Sequence, residues 1–333
     1  HLLFNGTKTY PTEKLLRNRH QELGLSIGAT TNYDFIELSG SFPTVSMKDA
    51  LTVIQEMVFD SLITTQMIEK ERGIILEEER TRKDNNYIQL WDKAFESRFK
   101  KGNPLQLPRE GTSESIKSLA PSVIKQFYKK YCRPSNSTFI MASNRPYSEL
   151  KFLLENISKK FLGGKRLLKP SLSNKDMTRY KTSAVYKPLK QTYSLMSFPS
   201  YAGENLSIVW QYGFLSDLLY EELNKALRQE RGLVYELDCS LMGPTKSVSF
   251  SYIQFACDPN NLKTVANLIF EKIKVMKKGK IDMQTFERIR ETGNKTLPMG
   301  FDSISGAMGW VREPFYRYKK VYSPEEYIGA RNK

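Results

Sequence analysis

The alternation of apolar and polar positions divides the chain into two stretches that share one order of elements. In the first, Ile36 and Leu38 alternate with Glu37 and Ser39, a period of two that predicts a half-buried strand. Residues 48–63 then place Leu51, Ile54, Met57, Val58 and Leu62 at helical spacing, and a second helix follows over residues 67–82. In the second stretch residues 248–255 alternate as a strand, residues 262–276 carry Val265, Leu268, Ile269 and Ile273 on one helical face, and a further helix opens near Met283. The match extends to wording, with Met67-Ile68-Glu69-Lys70-Glu71-Arg72 answered by Met283-Gln284-Thr285-Phe286-Glu287-Arg288.

This repetition predicts an α+β protein of two homologous domains, each a mainly antiparallel sheet with helices packed on one face. Two unrelated α+β domains are the alternative. Residues 161–175, rich in Gly, Ser, Pro and Lys and without periodicity, separate the copies. The boundaries are therefore set at 1–162 for the first domain, 163–179 for a linker and 180–333 for the second. If Glu71 overlies Glu287, Asn294 falls at the position of Glu78, and the second copy has no carboxylate there. Ser323-Pro324-Glu325-Glu326 has the pattern of a helix start, and the chain ends within that helix, so the C-terminus is expected to be truncated.

Composition narrows the functional classes. Of 333 residues, 40% are apolar and 26% charged, which is globular, and no run approaches the ~18 uncharged apolar residues of a membrane span. The net charge of +15 comes from lysines and arginines spread from Lys8 to Lys333 among acids, without an aromatic-basic signature, so nucleic acid is not expected as a partner. Cys132, Cys239 and Cys257 form no Cys-x-x-Cys pair and are odd in number, which argues against a zinc ribbon or a disulfide scaffold. The compartment is left open: the chain reads as soluble, in the cytoplasm or periplasm if bacterial, and the segment that would carry a leader is not in the sequence.

The candidate chemistry starts from a scarcity, because His1 and His20 are the only histidines. A hydrolytic zinc site uses three protein ligands and one open position, often two histidines and a carboxylate. His20 follows Leu16 by one helical turn and reads as a packed helix residue, which also disfavours a Ser-His-Asp or Cys-His triad. Glu69, Glu71, Glu77, Glu78 and Glu79 lie among Lys70, Arg72, Arg80 and Arg82, which by itself describes a salt-bridged, solvated helix face. Glu71 and Glu78 are seven apart, close to two turns, and so share a face. Near the middle of the second stretch, Gly232 reads as the glycine that ends a helix, with Tyr235 in the strand that follows.

Four segments, in order, carry a resemblance. His1-Leu2-Leu3-Phe4-Asn5-Gly6-Thr7 is similar to the second half of a His-x-x-Glu-His motif followed by its Phe-x-Gly-Thr turn. The chain thus resembles the insulinase, pitrilysin and mitochondrial processing peptidase family, the inverzincin zinc metallopeptidases, as a fragment starting at the second histidine. The resemblance implies that His1 is a Zn2+ ligand and that the first histidine and the catalytic glutamate lie upstream, so that the fragment alone is inactive. It also implies that Glu78, 77 positions after His1, is the third metal ligand, with Glu71 orienting the site from behind. Arg228 and Tyr235, seven apart in Leu227-Arg228-Gln229-Glu230-Arg231-Gly232-Leu233-Val234-Tyr235, match the family's substrate-binding arginine and tyrosine, which bind the peptide backbone and the developing oxyanion. Gly28, Ala29 and Thr30 stand where the family adds substrate to an exposed strand edge, with glycine in place of the usual asparagine at position 28.

The activity so implied is that of a zinc-dependent endopeptidase acting on unfolded peptides or presequences inside a chamber closed by two halves. A single half implies a homodimer, or a heterodimer with a homologous subunit. The alternative is a non-catalytic structural subunit of the same fold in a heterodimeric peptidase.

Overall fold

A computed structural model describes residues 1–158, 167, 177–178 and 182–332. In chain order its first elements are α1 (Glu13–Glu22), β1 (Ser26–Thr31), β2 (Ile36–Ser41), α2 (Met47–Phe59), α3 (Thr65–Asp84) and α4 (Asn86–Arg98). Next come α5 (Ser113–Ser118), α6 (Pro121–Tyr131), α7 (Tyr147–Ser158), β3 (Thr192–Pro199), α8 (Leu206–Leu223), β4 (Val234–Thr245) and β5 (Val248–Cys257). The series closes with α9 (Leu262–Lys277), α10 (Met283–Thr296), α11 (Ile304–Tyr318) and α12 (Pro324–Arg331). The class is α+β with antiparallel sheets, and hairpin, helix, helix recurs as β1-β2-α2-α3 and β4-β5-α9-α10.

The chain forms two compact units, one of His1–Asp84 with Pro108–Pro170, the other of Asn85–Leu107 with Ser171–Lys333. This differs from the sequence boundary of 1–162, since the segment around α4 clusters with the second unit. The reason is aromatic packing: Trp91 lies 6.3 Å from Phe250 and 4.8 Å from Tyr252, and Phe95 lies 5.8 Å from Phe250. Of the linker 163–179, all but Leu167, Met177 and Thr178 lies outside the described residues; Met177 bridges Phe99 in a short antiparallel contact.

In the first unit, β1 and β2 form a hairpin with Ala29 opposite Leu38. Its core gathers Leu16, Leu23, Leu25, Val53 and Met57, with Phe4, Tyr10, Ile27 and Leu38 packed around them. Thr12 caps α1 by accepting the Leu15 N–H. Helical periodicity over residues 48–63 overstates α2, which stops at Phe59. Beyond it the backbone leaves the helix to pair elsewhere: Ser61 bridges Thr7, and the Leu62 N–H donates to the Gly6 carbonyl at 2.9 Å.

In the second unit the sheet order is β3-β5-β4, all antiparallel. Ile253, Phe255 and Cys257 on one face of β5 join Leu223, Leu227, Val265 and Ile269 in the core. Phe250 and Tyr252 point to the opposite face and meet α4, so both faces of this sheet carry helices. Gly232, at φ +59°, ends the helical run after α8 in the left-handed region that glycine adopts without strain. Ser323 and Glu326 cap α12 reciprocally, as its sequence predicts.

Two measurements probe this arrangement. Phe95 is 6% exposed, so Phe95→Ala is expected to destabilise the protein by about 3–5 kcal/mol in denaturant unfolding, with amide exchange rising in β5 before α2. His20 carries a buried Nε2 with no hydrogen-bond partner among the described residues, and burial holds its pKa below the ordinary 6.5. A depressed folded pKa means that the unfolded chain binds the proton first, so this contribution is complete above pH ~6.5 and is lost as pH falls through the folded value. His20→Asn is expected to flatten the stability-versus-pH curve in that window, measured by urea midpoints.

Candidate functional site

His1 precedes a turn of 3-10 helix, Leu2–Phe4, and that turn lies against α3. Its imidazole Nδ1 lies 2.9 Å from Glu71 Oε2, and the Asn5 amide donates to Glu71 Oε1 at 3.0 Å. Because a carboxylate oxygen accepts, Nδ1 is the donor to Glu71, and in the neutral ring Nε2 is left with its lone pair. That Nε2 stands 3.7 Å from Glu78 Oε2. The three residues singled out from sequence are thus brought together: His1 and Glu78 converge, and Glu71, only 6% exposed, holds His1 from behind.

The distances can be compared with what a metal requires. Two donors at ~2.0–2.1 Å from a tetrahedral zinc stand about 3.3 Å apart, close to the 3.7 Å between His1 Nε2 and Glu78 Oε2. A histidine whose other nitrogen donates to a carboxylate is also the usual arrangement around a metal. The pair fits two positions of a zinc site. Among the described residues no cluster of three or more His, Cys, Asp or Glu side chains could hold a metal, so the pair is not a complete ligand set.

The segment after the turn is fastened on several sides. Gly6, at φ +148°, has the Tyr10 carbonyl and the Pro11 backbone where a side chain would project. The Thr7 and Thr9 hydroxyls donate to buried Glu56 at 3.2 and 2.9 Å. The Ser61 N–H donates to the Tyr128 hydroxyl of α6 at 2.8 Å, and burial pushes that phenol up to about 12.

Arg228 and Tyr235 are brought together in the second unit. A turn of π-helix, Asn224–Gln229, follows α8, turning Ala226 and Leu227 into the core and leaving Arg228 exposed. Tyr235 is the extra residue of a bulge, since Val234 pairs with Cys257 and Glu236 with Ala256. The bulge puts Tyr235 and Glu236 on the same face as Asp238, and Tyr235 is 71% exposed. The Arg228 guanidinium lies 5.6 Å from the centre of the Tyr235 ring.

Both residues line a cleft of ≈ 390 Å³ shared with Tyr87, Glu236, Asp238 and Gln254. Burial, then the facing Glu236 carboxylate, push the Tyr87 phenol up. Burial likewise pushes up Tyr252, whose hydroxyl donates to Asp238 at 2.6 Å. The sequence reading missed these acids and Tyr87. The spacing of Val234, Leu237 and Cys239, one residue too long for strict alternation, is the mark from which the bulge could have been read.

Gly28, Ala29 and Thr30 lie in β1, exposed, with Gly28 opposite Ser39. Among the described strands β1 pairs only with β2, which leaves its other edge without a strand. Cys132, Cys239 and Cys257 are free thiols whose pKa values burial raises, Cys132 to about 11, so none is an activated nucleophile.

Residues 118–292 match the family model described as the peptidase M16 inactive domain, and residues 1–113 match that of Insulinase (Peptidase family M16). The chain belongs to this insulinase-type peptidase family. It is 29% identical over 170 residues to the probable zinc protease PqqL of Escherichia coli, a match covering 48% of this chain but 18% of that protein. An uncharacterised zinc protease of Rickettsia bellii is 24% identical over 332 residues, 98% of this chain and 78% of its own length. A putative M16-like peptidase from Alicyclobacillus acidocaldarius shares the fold at a TM-score of 0.76 and 18% identity, over all of this chain and 78% of that one. Among the described residues no helix is long and apolar enough to cross a membrane.

The glycines of the hairpin give a paired test. A side chain at Gly28 meets nothing within 4 Å, so Gly28→Asn is expected to leave stability within about ±0.5 kcal/mol of the parent. At Gly40 a Cβ collides with the Ser26 carbonyl across the hairpin, so Gly40→Ala is expected to lower the melting temperature clearly. Thermal unfolding of both variants checks the register.

Proposed function

We propose that the protein is a zinc-dependent endopeptidase that cleaves unfolded peptides or presequences within a chamber closed by a second, homologous half. The observation that carries this reading is the line from Asn5 through Glu71 and His1 to Glu78, in which both nitrogens of one imidazole face carboxylates at 2.9 and 3.7 Å. His1 and Glu78 would hold the metal, while the family resemblance assigns the remaining histidine and the general base to residues ahead of His1. Zinc supplies Lewis acidity at neutral pH.

The chain's own groups have separable tasks. Glu71 fixes the tautomer and direction of His1. Arg228 and Tyr235 offer a guanidinium and a hydroxyl to the substrate backbone and to the oxygen on which charge develops when the carbonyl is attacked. The exposed edge of β1 at Gly28, Ala29 and Thr30 offers backbone groups to an extended peptide. If Glu287 of α10 corresponds to Glu71 of α3, Asn294 takes the place of Glu78, and the second unit would hold no metal there. Because one chain carries His1, Glu71 and Glu78 together with Arg228 and Tyr235, a homodimer is favoured over a purely structural subunit. Each active site would then take Arg228 and Tyr235 from the facing subunit.

Subunit mixing tests this. Full-length Glu78→Gln and Arg228→Ala proteins are each expected to be inactive as homodimers. After proven exchange at equal amounts, half of the dimers are mixed and each holds one intact site, so cleavage of an unfolded peptide should recover to about a quarter of the wild-type rate. No recovery despite exchange means that the groups act within one chain or that the partner is a different protein.

A further inference from the structure

Asn5 is a buried polar residue in the variable position of the Phe-x-Gly-Thr turn, where its side chain has no role implied by the motif. It is 6% exposed and follows directly on the 3-10 turn, to which its backbone is tied by an N–H that donates to the Leu2 carbonyl. The side-chain amide donates to Glu71 Oε1 at 3.0 Å, while Glu71 Oε2 accepts from His1 Nδ1 at 2.9 Å. Glu71 is equally buried. A carboxylate taken out of water needs donors on both oxygens, and with one oxygen unpartnered it turns toward whatever donor or water it can reach.

From this geometry we infer that Asn5 is a positioning residue for the metal site: by holding one oxygen of Glu71 it aims the other at His1 and so presents His1 Nε2 toward Glu78. The inference rests on the zinc reading given above. Asn5 lies two hydrogen bonds from the ring nitrogen that faces Glu78 and touches neither that nitrogen nor substrate, so its effect is one of aim. Only the amide end of Asn5 can face Glu71, because its carbonyl end would set two acceptors against each other. The amide therefore points one way, and the chain of donors runs Asn5 to Glu71 and His1 to Glu71 without an alternative.

The test measures zinc affinity of the full-length protein by competition with a chelator, alongside the melting temperature of the metal-free protein and the peptidase kinetics. Asn5→Ala is expected to weaken zinc about tenfold, the lower end of the ~10–100-fold range for losing an outer partner, and to lower kcat with KM unchanged. Asn5→Asp, which places a second carboxylate against Glu71, is expected to weaken it further. The double variant Asn5→Asp with Glu71→Gln restores the chain with its polarity exchanged, since the new amide on α3 would donate to the new carboxylate in the turn while the carbonyl beside that amide accepts from His1. It should bind zinc more tightly than Asn5→Asp alone. Wild-type affinity in Asn5→Ala overturns the inference, as does a loss that follows the metal-free melting temperature and is not relieved in the double variant. His1→Ala and Glu78→Gln in the same assay separate the two levels: if these also bind zinc normally, the metal reading itself fails, whereas if only they lose zinc, Asn5 alone is excluded.

Discussion

A buried carboxylate is the constraint around which the first unit is arranged. Glu71 sits inside α3 at 6% exposure, and leaving its charge without donors would carry a desolvation penalty of several kcal/mol. Both donors come from the first five residues, so satisfying Glu71 and placing His1 against α3 are one event. The rest of the opening segment is fastened to match: Thr7 bridges Ser61, the Gly6 carbonyl accepts from Leu62, and Thr7 and Thr9 satisfy the equally buried Glu56. Two buried acids, one on α2 and one on α3, thereby fix a stretch that has little regular structure of its own.

The second unit solves a different problem, that of presenting two polar side chains from the end of a helix and the start of a strand. A regular strand would alternate core and solvent without pause, and a regular α-helix would continue with its 3.6-residue period up to the turn. Here the π-helical turn buries Ala226 and Leu227 in succession, and the bulge sends Tyr235 and Glu236 outward in succession. Each irregularity releases one residue, Arg228 and Tyr235, onto a common side. The carboxylates of Glu236 and Asp238 then make the cleft polar, and the neighbouring phenols of Tyr87 and Tyr252 stay protonated beside them.

The division of labour between the units explains why a repeated fold carries one candidate metal site. Hairpin, helix, helix is common to both, and the second helix after each hairpin carries a Met-x-x-x-Glu-Arg run, with Glu71 in one and Glu287 in the other. In the first unit that glutamate is buried by the opening turn; in the second, α10 has no buried residue at all. Without burial there is no aim, and seven residues beyond Glu287, the interval that separates Glu71 from Glu78, stands Asn294 and no second carboxylate.

Local periodicity was sufficient for much of this. A period of two marked β2 and β5, a period of 3.6 marked α2 and α9, and the seven-residue interval put Glu71 and Glu78 on one face, because these patterns express only the geometry of a single element. The Ser-Pro-Glu-Glu cap and the glycine at 232 were legible for the same reason. What the pattern could not contain was pairing between distant segments. The end of α2 at Phe59 depends on Thr7 and Gly6, the assignment of α4 to the second unit depends on Phe250 and Tyr252, and the cleft beside Tyr235 depends on Tyr87, which is far away in sequence. Asn5 belongs with these. In sequence it is the variable letter of a motif; a buried carboxylate 66 positions away makes it a donor with one orientation, because hydrogen-bond need is set by who shares the interior, and only the folded chain decides that.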